Sequence, residues 1–219
     1  MEIFLDSSDI KEIRGLNKAN LIDGITTNPS LLASANTDFK ILLKDICGEI
    51  KGPVSAEVTA PDVPSMLKEA DVLRKIAKNI IIKVPLTWNG LQVCSMLSTK
   101  KIKVNVTLCF STSQALLAAK AGATYVSPFI GRLDDIGENG IQLIEDIKKV
   151  FSNYKNIKTK ILSASIRSVE HFNAVAAIGS DVATVPVKIF KELHKHHLTD
   201  KGVDIFTADW KKSGMKILT

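Results

Sequence analysis

The sequence predicts an α/β protein, a single (β/α)8 TIM barrel with a C-terminal helical extension, and three observations lead there. Short runs rich in Ile, Val and Thr recur along the chain. Each is followed by a longer segment with helical spacing of its apolar residues. The Gly-rich phosphate fingerprint that an open doubly wound sheet, the competing architecture, would carry after its first strand is missing.

Eight strands are expected, at residues 2–5, 24–27, 54–58, 80–84, 103–108, 125–129, 160–164 and 182–185. Helical stretches fall at 8–18, 61–77, 90–100, 111–121, 140–151, 168–178 and 187–194. Asp62 and Ser111 stand where N-caps belong, and Ser168 opens its helix with Glu170 close behind. Parallel neighbours need crossover connections, so strand-helix alternation with short loops implies a parallel sheet. Eight such units in about 200 residues fit a compact closed barrel.

No Pro/Gly/Ser-rich linker or long charge block interrupts the 219 residues, so one domain over 1–219 is expected. A basic balance of +6 raises the question of nucleic acid, but the lysines are scattered and aromatics make up only 5%. A solvated basic surface that attracts anionic metabolites is the expectation, with no nucleic-acid partner. The start, Met1-Glu2-Ile3-Phe4-Leu5-Asp6, has neither a basic nor a long apolar segment, so no secretory signal is expected, and no apolar run reaches membrane-spanning length. Cys47, Cys94 and Cys109 are odd in number and lack metal or CxxC spacing. They read as buried free thiols of a cytoplasmic protein.

In such a barrel, functional residues belong at the C-terminal ends of the strands. Polar residues interrupt the apolar runs at those places: Asp6, Asn28, Glu57, Lys83, Asn105 with Thr107, Ser127 with Arg132, and Ser165 with Arg167. Lys83 is the most informative, because Ile80-Ile81-Ile82-Lys83-Val84-Pro85 puts an amine within an apolar strand. A buried ammonium is costly, and desolvation or nearby positive charge favours the neutral amine that attacks a ketone. A strand-end lysine reaching solvent, or one paired with Glu57, fits the same strand equally well. Carbinolamine and carbon-carbon bond chemistry also needs acids and bases, for which Glu57 and Asp6 are candidates. Asp6 reads equally as the N-cap of the first helix. Arg132, Arg167 and Ser165 together suit a phosphate monoester, while either arginine alone reads as a surface ion pair.

His194-Lys195-His196-His197 lacks accompanying acidic or Cys ligands and reads as a solvated helix end. The stretch 131–137 has two Gly and two Asp without the full calcium-loop pattern. No metal is assigned. Trp88 and Trp210 could line the barrel mouth or cover its end.

The motifs resemble those of transaldolases, in the short form related to fructose-6-phosphate aldolase, nearly end to end. The matching blocks include Phe4-Leu5-Asp6-Ser7, Gly24-Ile25-Thr26-Thr27-Asn28-Pro29-Ser30-Leu31, Ile82-Lys83-Val84-Pro85, Val104-Asn105-Val106-Thr107-Leu108, Ser127-Pro128-Phe129-Ile130-Gly131-Arg132 and Ser163-Ala164-Ser165-Ile166-Arg167. The resemblance implies Lys83 as Schiff-base nucleophile and Asp6 as the acid/base at the C4 hydroxyl. It implies a catalytic water between Glu57 and Thr107. Asn28 and Asn105 would bind the dihydroxyacetone hydroxyls with Thr27 and Ser127 nearby, and Arg132, Ser165 and Arg167 would hold the phosphate. The related aldolases carry Gln where Glu57 stands and Tyr where Phe129 stands, so both positions are of the transaldolase type. The resemblance further implies sugar-phosphate substrates, no cofactor, and a ring-shaped homo-oligomer, a pentamer or decamer, in which a C-terminal helix at 207–218 packs on a neighbour. A non-catalytic sugar-phosphate-binding barrel would keep the arginines without needing Lys83.

Overall fold

A computed structural model describes residues 1–35 and 37–218; Asn36 and Thr219 of the expected domain lie outside them. Eight parallel strands close into a barrel in sequence order. They are β1 (Glu2–Asp6), β2 (Gly24–Thr26), β3 (Val54–Glu57), β4 (Ile80–Pro85), β5 (Val104–Cys109), β6 (Tyr125–Pro128), β7 (Lys160–Ser163) and β8 (Val182–Pro186), with β8 pairing back onto β1. The expected (β/α)8 barrel is the observed fold, and every strand lies where the alternation of apolar runs puts it.

The helices among the described residues are α1 (Ile10–Asn17), α2 (Pro29–Ala33), α3 (Phe39–Glu49), α4 (Val63–Leu73), α5 (Trp88–Thr99), α6 (Thr112–Lys120), α7 (Ile130–Asp134), α8 (Gly140–Ser152), α9 (Val169–Ile178), α10 (Val187–Phe190) and α11 (His197–Ser213). Short polar side chains terminate the βα loops by accepting orphan amides of the first turn. Asp62 accepts from Ser65, Ser111 from Gln114 and Ser168 from His171. No described helix is long and apolar enough to cross a membrane.

Because strand side chains alternate, the barrel sorts its apolar residues into two layers. One set, including Leu5, Ile25, Val54, Ile82, Val104 and Val126, faces outward onto the helices and is fully buried there. The other, Phe4, Ile81, Tyr125, Leu162, Ala164 and Val182, packs inside the barrel, Leu162 and Ala164 reaching up to the cavity wall and Phe4 and Tyr125 in an edge-to-face contact at 5.9 Å. Each such aliphatic side chain contributes about 2 kcal/mol of burial. Above this plug the inward positions turn polar, so the upper half of the barrel becomes a site and not a core.

The C-terminal end differs from expectation. A helix was expected at 187–194 and another at 207–218. Instead α10 stops at Phe190, and one helix runs from His197 to Ser213, where Gly214 adopts φ +67 and ends it. Gly202 lies inside this helix, with nothing within 4 Å of where its Cβ would stand. His196 caps α11, its side chain accepting the Leu198 amide, and its ring stacks on His197 at 4.7 Å. Trp88 opens α5 at the mouth side of the barrel and is 73% exposed, while Trp210 lies on α11. α11 has no buried residue.

Candidate active site

Strand register assembles the site. Glu57 on β3 stands opposite Lys83 on β4, Lys83 opposite Asn105 on β5, and Asp6 on β1 opposite Thr26 on β2. These pairings bring residues far apart in sequence into one layer at the C-terminal end of the barrel. The cavity above them has a volume of about 480 Å³, and its wall includes Asp6, Asn28, Glu57, Lys83, Thr107, Ser127, Phe129, Arg132 and Ser165.

Lys83 points inward and is only 6% exposed, which excludes a side chain that reaches solvent. Its Nζ lies 2.9 Å from Glu57 Oε2 and donates to the Thr27 carbonyl at 3.1 Å. The charged neighbour in contact is an acid, not the cation that could have neutralised the amine by repulsion. Any proton the amine must lose therefore has a receiver within hydrogen-bond distance.

Asp6 does not cap the first helix; Asp9 does, accepting from the amides of Lys11 and Glu12. Asp6 Oδ1 instead accepts from Thr26 Oγ1 at 2.8 Å, and Thr26 Oγ1 lies 2.6 Å from Thr184 Oγ1. Since Thr26 has one proton and gives it to the carboxylate, its oxygen accepts from Thr184, making a relay of hydroxyls onto Asp6. Burial pushes the Asp6 carboxyl up from its ordinary range, with the Thr26 hydrogen bond and the Lys83 charge acting against it. A carboxylate held this way is a stronger base than one in water.

β5 ends in an irregularity: its register with β6 shifts between Val106 and Cys109, and Leu108 sits at φ +60. Left-handed backbone at a bulky residue is strained, and a bulge here re-aims the strand tip toward the cavity. Among the described residues, Thr107 Oγ1 is buried without a hydrogen-bond partner. Buried hydroxyls ordinarily have one, so this group is available to a molecule in the cavity.

At the rim, Phe129 packs edge-to-face on Phe110 at 5.9 Å, and the Arg132 guanidinium lies 4.9 Å from the Phe129 ring centroid. The Gly131 amide donates to the Ser165 carbonyl at 3.0 Å, tying α7 to the loop after β7. Ser165 itself has φ +58, a second strained residue on the cavity wall.

Three of the proposed residues do not open on the cavity. Thr27 donates its hydroxyl to the Ser55 carbonyl at 2.7 Å. Asn105 is fully buried, donating to Ser55 Oγ at 3.2 Å and accepting from Ser127 Oγ at 2.7 Å. Arg167 is half exposed and grips Asp135 with two nitrogens, which is the surface ion pair weighed for it above. Asn28 lines the cavity while its Oδ1 caps α2, accepting from Leu31 at 2.9 Å. Thr26, Thr184 and Ser55 were not anticipated. The signal was present in each: a hydroxyl at an inward position of an otherwise apolar strand.

One cavity of this parallel barrel thus gathers a buried amine, two carboxyls and a guanidinium, the kinds of group that chemistry on a carbonyl compound calls on. The sequence profile of the Transaldolase/Fructose-6-phosphate aldolase family matches residues 3–217, and the chain belongs to that family. It is 56% identical over 218 residues to a probable transaldolase of Parvibaculum lavamentivorans, covering 100% of both chains. Similar proteins in Chelativorans sp. and Rhizobium meliloti, also described as probable transaldolases, are each 55% identical over 217 residues, which is 99% of this chain and 100% of theirs.

Proposed function

We propose that the chain is a transaldolase. It transfers a three-carbon dihydroxyacetone unit from a ketose phosphate, sedoheptulose 7-phosphate or fructose 6-phosphate, to an aldose phosphate, glyceraldehyde 3-phosphate or erythrose 4-phosphate, in the non-oxidative pentose phosphate pathway. The observation that carries the reading is the inward-facing Lys83 amine in contact with Glu57 on the floor of the cavity.

In this reading Lys83, its proton taken by Glu57, attacks the donor ketone to give a carbinolamine. A water between Glu57 and the unpartnered Thr107 hydroxyl delivers the proton that lets hydroxide leave as water, giving the protonated imine. Asp6 removes the proton of the C4 hydroxyl, the C3–C4 bond breaks, and the electron pair passes into the imine as an enamine. The aldose product leaves. The enamine then attacks the acceptor aldehyde, and the steps reverse to hydrolysis. The iminium is itself the electron sink, so no cofactor takes part. Asn28 and Ser127 bind hydroxyls of the three-carbon unit, with Asn105 and Thr27 as supports for Ser127 and Lys83. Arg132 and Ser165 meet the phosphate, and Arg167 joins them on exchanging Asp135 for it.

Glu57 and Phe129 favour transfer over release of free dihydroxyacetone, because a Phe at 129 offers no phenol proton to the intermediate. Fructose-6-phosphate aldolase is therefore the second reading. Incubation with fructose 6-phosphate, with and without erythrose 4-phosphate, separates them: sedoheptulose 7-phosphate formation is expected, and fast dihydroxyacetone release without an acceptor would favour the aldolase.

A homo-oligomer, pentamer or decamer, is part of the same reading. Leu198, Val203, Phe206 and Trp210 of α11 are exposed, an apolar surface that a neighbouring subunit would cover. Native mass spectrometry giving only a monomer would remove this part. The free thiols, Cys94 and Cys109 fully buried, suit the cytoplasm.

A further inference from the structure

At the opposite end of the barrel, around the first residues of the strands, lies a second cavity of about 780 Å³. Its wall carries six cations, Lys51, Arg74, Lys78, Lys101, Lys103 and Lys160, against two acids, Glu2 and Asp23. Both acids are already engaged. Glu2 pairs with Lys160 at 2.6 Å, and Asp23 Oδ2 accepts the Ile3 amide at 2.8 Å. Arg74 pairs with Asp71. Among the described residues, Lys51, Lys78, Lys101 and Lys103 form no salt bridge at all.

Lys101 adds an independent observation. It sits at φ +59, in the turn that ends α5, where the Ile102 amide closes onto the Leu97 carbonyl at 3.0 Å. Glycine takes this conformation without steric cost, so a lysine here accepts backbone strain and sets an ammonium on the cavity rim. The catalytic end of the barrel already has its own anion-binding groups, and none of these lysines reaches it.

We propose that this cavity binds a small molecule with two or more linked phosphates, a nucleoside polyphosphate or a short inorganic polyphosphate. Four uncompensated ammonium groups around one concavity repel one another and focus positive potential into it. A single phosphate would balance only part of that charge, whereas linked phosphates span several lysines. The volume suits a ligand of that size, and Ile80, Ile81 and Tyr125 give it an apolar floor.

The test is isothermal titration of the full-length protein with inorganic tripolyphosphate and with ATP, at fixed salt and without magnesium. Beside it run the Lys78→Ala/Lys101→Ala/Lys103→Ala variant, Lys101→Gly and Arg132→Ala. One ligand per chain is expected, with affinity falling about tenfold or more in the triple variant and unchanged in Arg132→Ala. Lys101→Gly relieves the backbone, so weaker binding by it reads the lost ammonium and not a failure to fold. Tighter binding of ATP assigns a nucleotide, and equal binding the inorganic chain. No binding, binding indifferent to the lysines, loss only in Arg132→Ala, or displacement by an oligonucleotide with a steeper salt dependence would each overturn the proposal.

Discussion

Glu57 and Lys83 face each other in register on neighbouring strands, 2.9 Å apart and nearly out of water. Removing one member of a buried ion pair leaves the other uncompensated. Glu57→Gln should therefore lower the unfolding free energy by about 3 kcal/mol, read from denaturant unfolding. It should also slow imine formation roughly 100-fold in single-turnover experiments, because the proton acceptor beside the amine is gone. An unchanged unfolding midpoint together with an unchanged rate would contradict the pairing.

The Thr26 hydroxyl donates to Asp6, which favours the ionised carboxylate. In Thr26→Val that help is lost and the Asp6 pKa rises further. A base must be deprotonated to act, so the acidic limb of the pH-rate profile should move to higher pH, with the plateau less affected. Stability follows the same sign. A carboxyl whose folded pKa lies above its unfolded value binds its proton more readily when folded, so stability falls as pH rises from the unfolded to the folded value. Asp6→Asn removes that penalty, and its melting temperature should exceed wild type at neutral pH while activity is lost. An acidic limb that stays put in Thr26→Val would sink the assignment.

Thr107→Val keeps the shape of the side chain and removes only a buried hydroxyl with no described partner. Stability should hold or rise by up to about 1 kcal/mol, since no protein hydrogen bond is broken. Turnover should nevertheless fall at least about tenfold if that hydroxyl positions the catalytic water. Full turnover with unchanged stability would leave Thr107 without a catalytic role.

Gly131 passes beneath Arg167 so closely that a Cβ there would stand 2.5 Å from Arg167 Nε and 2.7 Å from the Ser165 carbonyl oxygen. The arginine can shift, but the backbone oxygen cannot do so cheaply. Gly131→Ala should displace Arg167 and the Arg132 helix together. KM for phosphorylated donors should rise by about tenfold or more, with a much smaller effect on an unphosphorylated sugar. Equal losses for both substrates would mean that the rim does not recognise phosphate.

The strands were legible because short runs rich in Ile, Val and Thr alternate with helically spaced segments, although polar residues such as Ser55 and Asn105 interrupt the runs near their starts. Lys83 stood out as an amine among four aliphatic neighbours. Hydroxyls gave a weaker signal: Thr26, Thr184 and Ser55 pass as ordinary β-formers until closure of the barrel turns them inward. α3 went unassigned although Asp38 caps it and Leu42, Leu43 and Ile46 mark its buried stripe. Its helical signal lay inside a long connection between β2 and β3. The stretch 131–137 was read only as lacking the full calcium-loop pattern; its first residues belong to α7, where Gly131 is required by the close approach of the Ser165 carbonyl. Which way Arg167 turns depends on Asp135, a contact that spacing alone does not specify.

The central claim is that Lys83 is the amine that captures the substrate ketone. Borohydride reduction in the presence of fructose 6-phosphate, followed by peptide mass spectrometry, tests it directly. A covalent three-carbon or six-carbon adduct on the peptide bearing Lys83, absent in Lys83→Met, is the expected result. No adduct, or an adduct at another lysine that persists in Lys83→Met, would contradict it.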